Sequence, residues 1–549
     1  MKKIIIPALA ALLAFGCSSK KEEQEHNMPF IWEGANVYFM LTDRFNNGDE
    51  SNDLVLNRTK ETAKLRGFEG GDIRGIIQKI DEGYFDELGI NAIWFTPVVE
   101  QIHDATNEGT GNTYGFHGYW AKDWTKLDPN FGAEEDLSEL VEKAHAHGIR
   151  VMLDGVINHT GPVTDIDEVW PSNWVRTEPQ CEYDNYENTT TCTLVKNLPD
   201  VMTESNEPVE LPSMLVEKWR SEGRYEQEVK ELDAFFERTG YPRAPKYYII
   251  KWLTDYITDY GIDAYRADTV KHLGAEVWAT FSKECDYAFT EWKKANPNKV
   301  LDNNTFFTVG EVYNYGISGG QYFDFGDKKV NYYKNGFDAL INFQMKWDIA
   351  QKSKEEVFKS YSNTLNNELG GNTVLNYISS HDDGSPFDAK REKTYKSAEM
   401  LLLTPGISQV YYGDETGRSL DIPDTEGDAT LRSFMNWEDI NKPETKTLLA
   451  HWQKLGRFRK NHPSVGAGEH IMVSESPYVF KRTFTKGDYN DSVLVGLDLL
   501  KGNKTISVGD VFVDGTKVRD AYSGTEGIVE NNNITFDTPY TILLIEKID

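Results

Sequence analysis

Short apolar runs rich in β-branched and aromatic residues recur along the chain at 37–41, 92–96, 151–154, 262–267, 306–310, 339–343, 374–379 and 408–412. Between them the apolar positions fall three or four apart, as at 73–88, at 133–147 (Leu137, Leu140, Val141, Ala144) and at 247–260, which is the period of an amphipathic helix. Eight alternations of strand and helix predict a (β/α)8 TIM barrel of the α/β class. The third and fourth runs lie about a hundred residues apart, too far for a plain loop in a compact domain. Residues 159–246 are therefore expected to form a small inserted domain of irregular structure, interrupting a barrel made of 30–158 and 247–465. Beyond residue 465 the period changes to two, with strands expected at 478–484, 492–497, 505–508, 534–536 and 541–545. That pattern predicts a C-terminal antiparallel β-sandwich over 466–549.

Charge and the N-terminus narrow the function classes. Against 58 Lys and Arg stand 88 Asp and Glu, a net of −30, and no basic run exceeds two residues, so a phosphate backbone is repelled and nucleic acid is excluded as a partner. Lys2 and Lys3, an apolar stretch over 4–15 and the pair Gly16-Cys17 have the layout of a secretory signal peptide over 1–16, too short to span a bilayer. Its end resembles a bacterial lipobox, which implies lipidation of Cys17 and a solvated Lys/Glu-rich tether over 17–29. In an exported chain, Cys181 and Cys192, which bracket an Asn/Thr-rich loop, are expected to pair. A bridge closing so short a loop contributes about 2–3 kcal/mol. Cys285, in an apolar helical pattern, reads as a buried thiol.

In such a barrel the chemistry sits on the loops that follow the strands, and five of these begin with polar residues. The third run leads to Asp154, Asn158 and His159. The fourth carries Asp263, Arg266 and Asp268 and continues to Lys271 and His272. The fifth ends at Glu311, the seventh leads to His381-Asp382-Asp383, and the loop after the second carries His117, Tyr119 and Trp120. A single acidic strand end is more often a cap or an ion-pair partner. Several carboxylates on one rim raise each other's pKa, which stability does not require. Two close carboxylates are the requirement of retaining glycoside hydrolysis. Asp268 is the better nucleophile because Arg266, two positions earlier on the same strand face, keeps it ionised. Glu311, after an apolar run, is suited to hold the proton of a general acid.

The segments DGVINHT (154–160), GIDAYRADTVKH (261–272), FFTVGEV (306–312) and SHDD (380–383), with HGYW (117–120), LPD (198–200) and YYGDE (411–415), resemble the conserved regions of the α-amylase family of glycoside hydrolases, in the family's order over about 36–460. A narrower likeness, to periplasmic α-amylases of Gram-negative bacteria, rests on WPSNWVRTE (170–178), EWKKANP (291–297), GFDALINF (336–343) and the segment 450–468. The resemblance implies Asp268 as nucleophile, Glu311 as acid/base and Asp382 as the third, transition-state-stabilising carboxylate. It also implies Arg266 as orienter of the nucleophile, His159 and His381 as sugar-hydroxyl ligands, Tyr119 as a stacking platform, His117 and Asp154 as supports, and Lys271 and His272 on the leaving-group side. Ser380, Thr269 and Phe116 stand where the family commonly has Asn, Ala or Val, and Tyr, which leaves product pattern open.

The same resemblance implies calcium. One site would lie between barrel and insertion, using Asn158, Asp200 and the His272 carbonyl. A second would use Asn47, Asp49, Asn52, Asp53, the Gly70 carbonyl and Asp72, in a cluster whose composition alone reads as an Asn/Gly-rich turn. The activity implied is cleavage of internal α-1,4 bonds of starch and maltodextrin by a monomer, anchored through lipid to the outer membrane on its periplasmic face or at the cell surface. Pullulan-cleaving, maltogenic or glucosyl-transferring activity stays open, as does a non-catalytic starch-binding lipoprotein.

Overall fold

The computed structural model describes residues 28–548; the expected signal segment and Cys17 lie outside them. The eight apolar runs form β1 (Asn36–Met40), β2 (Ala92–Phe95), β3 (Arg150–Gly155), β4 (Ala264–Ala267), β5 (Phe307–Gly310), β6 (Ala339–Asn342), β7 (Thr373–Asn376) and β8 (Ile407–Tyr411). They close a barrel in the order β1-β8-β7-β6-β5-β4-β3-β2, paired in parallel throughout. The strands are buried along nearly their whole length because helices cover the barrel's outside while side chains fill its inside, so they read as continuous apolar runs rather than alternating ones. Inside, Phe39 and Trp94 stack at 3.7 Å and make an aromatic floor under the rim where β1, β2 and β7 end.

The outer layer includes α1 (Ile73–Asp81), α2 (Glu134–Ala146), α5 (Pro245–Tyr260), α6 (Ala275–Ala295), α7 (Lys354–Asn367), α8 (Thr394–Leu403) and α9 (Pro443–Asn461). Helix α9 returns to the first turn of the barrel: a Cβ on Gly456 would lie 2.0 Å from the Leu88 carbonyl oxygen, so only glycine allows the two backbones to meet there. Among the described residues no helix is long and apolar enough to cross a membrane.

Between β3 and β4 the chain is irregular only in its first half, where Cys181 and Cys192 are bonded with Cα atoms 4.9 Å apart. The second half corrects the expectation of irregular structure. It folds as α3 (Ser213–Ser221) and α4 (Tyr225–Thr239), because Leu215 and Trp219, and likewise Leu232, Phe235 and Phe236, recur at helical spacing and are buried. Trp219 packs edge-on against Trp252 of α5, which stacks parallel to Trp174. Cys285 is free and buried, as expected.

The C-terminal segment forms β9 (Glu469–Ser474), β10 (Tyr478–Lys486), β11 (Tyr489–Leu497), β12 (Gly502–Ser507), β13 (Lys517–Asp520), β14 (Thr525–Ile528), β15 (Asn533–Thr538) and β16 (Leu543–Lys547). A six-stranded sheet, β9-β10-β11-β16-β13-β14, faces a ribbon of β12 and β15 across a core that includes Val479, Leu494, Ile506, Phe536 and Leu543. The sheet's other face, through Phe480, Val493, Val495 and Leu544, joins the barrel core. Strands β13 and β14 are short and carry exposed polar positions, and β9 buries His470 while exposing Ile471 and Met472, so none alternates in a way that hydrophobicity would reveal.

An ionic joint supports this contact. His462, at the end of α9, bonds Asp491 through Nδ1 and Glu546 through Nε2, each at 2.8 Å. Although burial opposes the charged ring, these two carboxylates outweigh it and raise the His462 pKa to about 9. A histidine raised in this way stabilises the fold fully below its ordinary pKa of about 6.5 and ceases to do so as the pH rises through about 9. Urea unfolding should therefore find the native chain more stable than His462→Gln by about 3 kcal/mol near pH 6, a gap that closes towards pH 10; a pH-independent gap would refute the assignment.

Candidate active site

The rim chemistry is organised by one buried guanidinium. Arg266 lies on β4, and Asp154 lies opposite it on β3, in register. Asp268 follows β4 and anchors its own backbone on the Gly155 carbonyl at 3.0 Å, while Glu311 follows β5 and anchors on the Ala267 carbonyl at 3.0 Å. The ladder bonds that close the barrel thus set all three carboxylates around Arg266. Nη1 of Arg266 donates to Asp268 Oδ1 at 2.7 Å and to Asp154 Oδ1 at 2.9 Å, and its Nη2 is 2.8 Å from Glu311 Oε1. Burial pushes Asp154 up to about 7 against the pull of Arg266; Tyr119 Oη and Trp94 Nε1 also donate to it, at 2.8 and 3.2 Å.

Burial raises the Glu311 pKa well above the ordinary carboxyl value; Arg266 opposes the shift, and Asp268 and Asp382 add to it. Its Oε2 accepts the backbone N–H of Thr269 at 2.9 Å. That N–H is aimed by a left-handed turn at Thr269, φ 51°, a conformation that a β-branched residue adopts only under constraint. Asp382, partly exposed, faces the same space, its Oδ1 3.4 Å from Ser380 Oγ.

The rim histidines are held neutral. Burial lowers His117 and His381 well below the usual histidine value, with Arg432 adding to the effect in both. Tyr119 donates its backbone N–H to His117 Nδ1 at 3.1 Å, which leaves the proton on Nε2. His159 Nε2 donates to the Tyr119 carbonyl at 3.0 Å, and the Tyr119 and His381 rings stack at 5.2 Å. His272, lowered to about 4 by burial and then by Lys271, contacts the Thr189 carbonyl of the disulfide loop at 3.2 Å.

His117, Tyr119, His159, Asp268, His272, Glu311, His381 and Asp382 line one cleft of about 310 Å³. Asp154 and Arg266 lie buried behind it, and Lys271 sits at its edge, 5.1 Å from the Tyr313 ring centroid. The sequence reading missed Arg432, which donates to the His381 carbonyl at 2.9 Å and pairs with Asp428, and Tyr313 and Leu194, which also line the cleft. Arg432 and Asp428 lie far along the chain from the end of β8, with no spacing to mark them. Tyr313, two residues after Glu311, could have been found by reading on from the strand end.

The expected calcium ligands are partly gathered. Asn158 and Asp200 meet through the antiparallel bridge His159–Asp200. Asn158 Oδ1 is buried without a partner, and burial lifts Asp200 to about 8 despite Arg176 at 2.8 Å. In the second cluster Asn47 Nδ2 donates to Asp53 Oδ1 at 2.9 Å and Asn52 Nδ2 to Asp72 Oδ2 at 3.3 Å, while Asn47 Oδ1 and Asn52 Oδ1 are buried and unpartnered. Gly70, at φ 91°, is packed so closely that a Cβ would lie 2.5 Å from Asn47 Nδ2. Asp72 also caps α1 through the Gly75 N–H at 2.6 Å, and Asp49 is turned to Ser51 of its own loop. Among the described residues no three His, Cys, Asp or Glu side chains form a metal-binding group, so a cation at either place would need amide and backbone oxygens beside the carboxylates, as calcium accepts.

Removing the central cation should leave three buried carboxylates uncompensated. Arg266→Met is expected to cost about 3–5 kcal/mol of unfolding free energy in urea titration at neutral pH; a loss under about 1 kcal/mol would mean that the three acids do not depend on it.

Residues 39–442 match the family model of the α-amylase catalytic domain. The chain is 35% identical to the periplasmic α-amylase of Escherichia coli (strain K12), over 87% of this chain and 74% of that protein. It is 28% identical to the cyclomaltodextrin glucanotransferase of Geobacillus stearothermophilus, over 84% of this chain and 59% of that protein. Among solved structures, the α-amylase of Geobacillus thermoleovorans complexed with acarbose shares the fold, with a TM-score of 0.64 at 21% identity, covering 95% of this chain and 100% of that one. With its closed barrel, its acidic cleft and a family match spanning most of its length, the chain belongs to the α-amylase family of glycoside hydrolases.

Proposed function

We propose that the chain is an α-amylase that cleaves internal α-1,4-glucosidic bonds of starch and maltodextrin with retention of configuration. The observation that carries this reading is Arg266 holding Asp268 and Glu311 on its two terminal nitrogens, which favours the close carboxyl pairing of about 5–5.5 Å used by retaining enzymes over the wider spacing of inverting ones. In the first step Glu311 gives its proton to the leaving glycosidic oxygen as the C1–O bond breaks, and Asp268, through the oxygen not engaged by Arg266, forms the bond to C1. In the second step water loses a proton to Glu311, its oxygen bonds C1, and Asp268 is released. Asp382 stabilises the positive charge that develops at the sugar ring. Neutral His117, His159 and His381 offer hydrogen bonds to sugar hydroxyls without adding charge next to it, and the Tyr119 ring supports its face. A sugar hydroxyl in place of water would give transfer, an outcome that product analysis on amylose, pullulan, cyclodextrin and short maltodextrins would reveal.

The reading extends to location and metal. It places the chain outside the cytoplasm, as a monomer tethered by lipid at Cys17 on the periplasmic or outer face of the outer membrane, with a barrel of 30–158 and 247–465, an insertion of 159–246 and a sandwich of 466–549. The unpartnered amide oxygens of Asn47, Asn52 and Asn158 support calcium, because buried acceptors of this kind ordinarily find a partner. Bound calcium would join Asn158, Asp200 and the His272 carbonyl across barrel and insertion, and Asn47, Asn52, Asp53, Gly70 and Asp72, with Asp49, near α1.

Two outcomes test these statements. Glu311→Gln should lower reducing-end release from amylose about a hundred- to ten-thousand-fold, and Asp268→Asn at least as much. Because the Glu311 pKa is raised and its protonated form is the active one, the native enzyme should lose activity as the pH rises through that pKa; an acid-limb dependence only, or wild-type rates in either variant, would refute the roles. Chelation by EGTA should lower the melting temperature, and calcium in excess of about a thousand times its Kd should restore about 4 kcal/mol per site; a melting curve indifferent to EGTA would remove calcium from the account.

A further inference from the structure

Tryptophan exposure singles out a second surface. Of the chain's 13 tryptophans, eleven are buried, Trp437 is half-buried, and Trp347 alone is exposed, at 52%. It stands in the helix Met345–Gln351 that follows β6, on the same end of the barrel as Glu311. Trp347 and Tyr322, itself 49% exposed, line an open groove of about 470 Å³ with Phe343 and Gln344. Leaving so much aromatic surface in water is unfavourable unless something covers it.

The groove adjoins the cleft that holds Glu311. Tyr313 lines the cleft, and its ring meets Phe343 of the groove edge-on at 5.2 Å. Lys271 lies between the Tyr313 and Phe323 rings, 5.1 and 5.8 Å from their centroids. The groove's floor is fixed: Phe343 donates its N–H to the Tyr315 carbonyl at 2.9 Å, Ile317 donates to Asn342 Oδ1 at 3.1 Å, and Ser318 Oγ donates to Gln344 Oε1 at 2.6 Å. Lys346, beside Trp347, is held by Asp383, the neighbour of Asp382. The backbone and the Gln344 side chain beneath the two exposed rings are thus held in place.

We infer that this ledge, centred on Trp347 and Tyr322, is a remote binding site for the leaving-group portion of an α-1,4-linked glucan chain. The inference rests on the proposed hydrolysis, which sets the leaving group on the Glu311 and Tyr313 side of the cleft. Sugar rings present apolar faces to aromatic side chains and hydroxyls to polar ones, and the ledge offers both in Trp347, Tyr322 and Gln344. A chain long enough to pass Tyr313 reaches it; a short one does not.

The test compares kcat/KM on maltoheptaose and maltotriose for the full chain and for Trp347→Ala and Tyr322→Ala. Each variant should lower the maltoheptaose-to-maltotriose ratio about 5- to 10-fold, mainly through KM, and Trp347→Phe should recover most of it. An equal fall on both substrates, or an unchanged ratio, would overturn the ledge. Calorimetric binding of maltoheptaose in a Glu311→Gln background should weaken by a similar factor on removing Trp347. If the native chain hydrolyses neither substrate, the hydrolase reading fails, and the binding comparison decides the ledge by itself.

Discussion

Three acids buried on one rim repel each other and resist losing water, and the fold tolerates them because a guanidinium stands between them. Arg266 draws Asp154, Asp268 and Glu311 from three consecutive strands; Asp154 is set by its register opposite Arg266, and Asp268 and Glu311 by backbone bonds that also close the barrel. A buried ion pair rarely adds net stability, yet breaking one is costly. The cluster therefore binds the geometry of the site to the integrity of the barrel: strand register cannot slip at β3, β4 or β5 without separating the three acids from the one cation they pair with among the described residues.

The barrel was legible in the sequence for the same reason that it is stable. Parallel strands covered on both faces are mostly apolar, so eight short runs stood out, and the residues after them marked the rim. Asp268 and Glu311 followed from that rule, while the roles of the histidines and of Asp382 came from the family resemblance. Strands β13 and β14 were lost because they are short with a wet, polar face, β9 because its apolar residues face outward and its histidine inward, and α3 and α4 because a long gap between strands was read as one irregular unit. Arg432 and Asp428 were invisible: they reach the cleft from a long loop after β8, and loop residues carry no periodicity. The amide oxygens of Asn47, Asn52 and Asn158 show the reverse case, in which the sequence pointed to oxygen clusters and the fold left their acceptors facing inward without a partner.

The parts outside the barrel serve its rim and its seam. The disulfide loop brings the Thr189 carbonyl to His272, so the insertion completes the wall beside Lys271. At the opposite side of the molecule α9 meets the first turn through Gly456, and His462 ties the helix end to two strands of the C-terminal sheet. Proton loss from a single imidazole would weaken that seam without touching the acids of the rim.

The uneven distribution of tryptophan has an optical consequence. Eleven indoles lie in the core and one stands in water beside the cleft, so an aqueous quencher such as iodide addresses chiefly Trp347, while the rest of the emission reports the folded interior. The molecule carries its own two-channel probe, one for the surface next to the cleft and one for the state of the core.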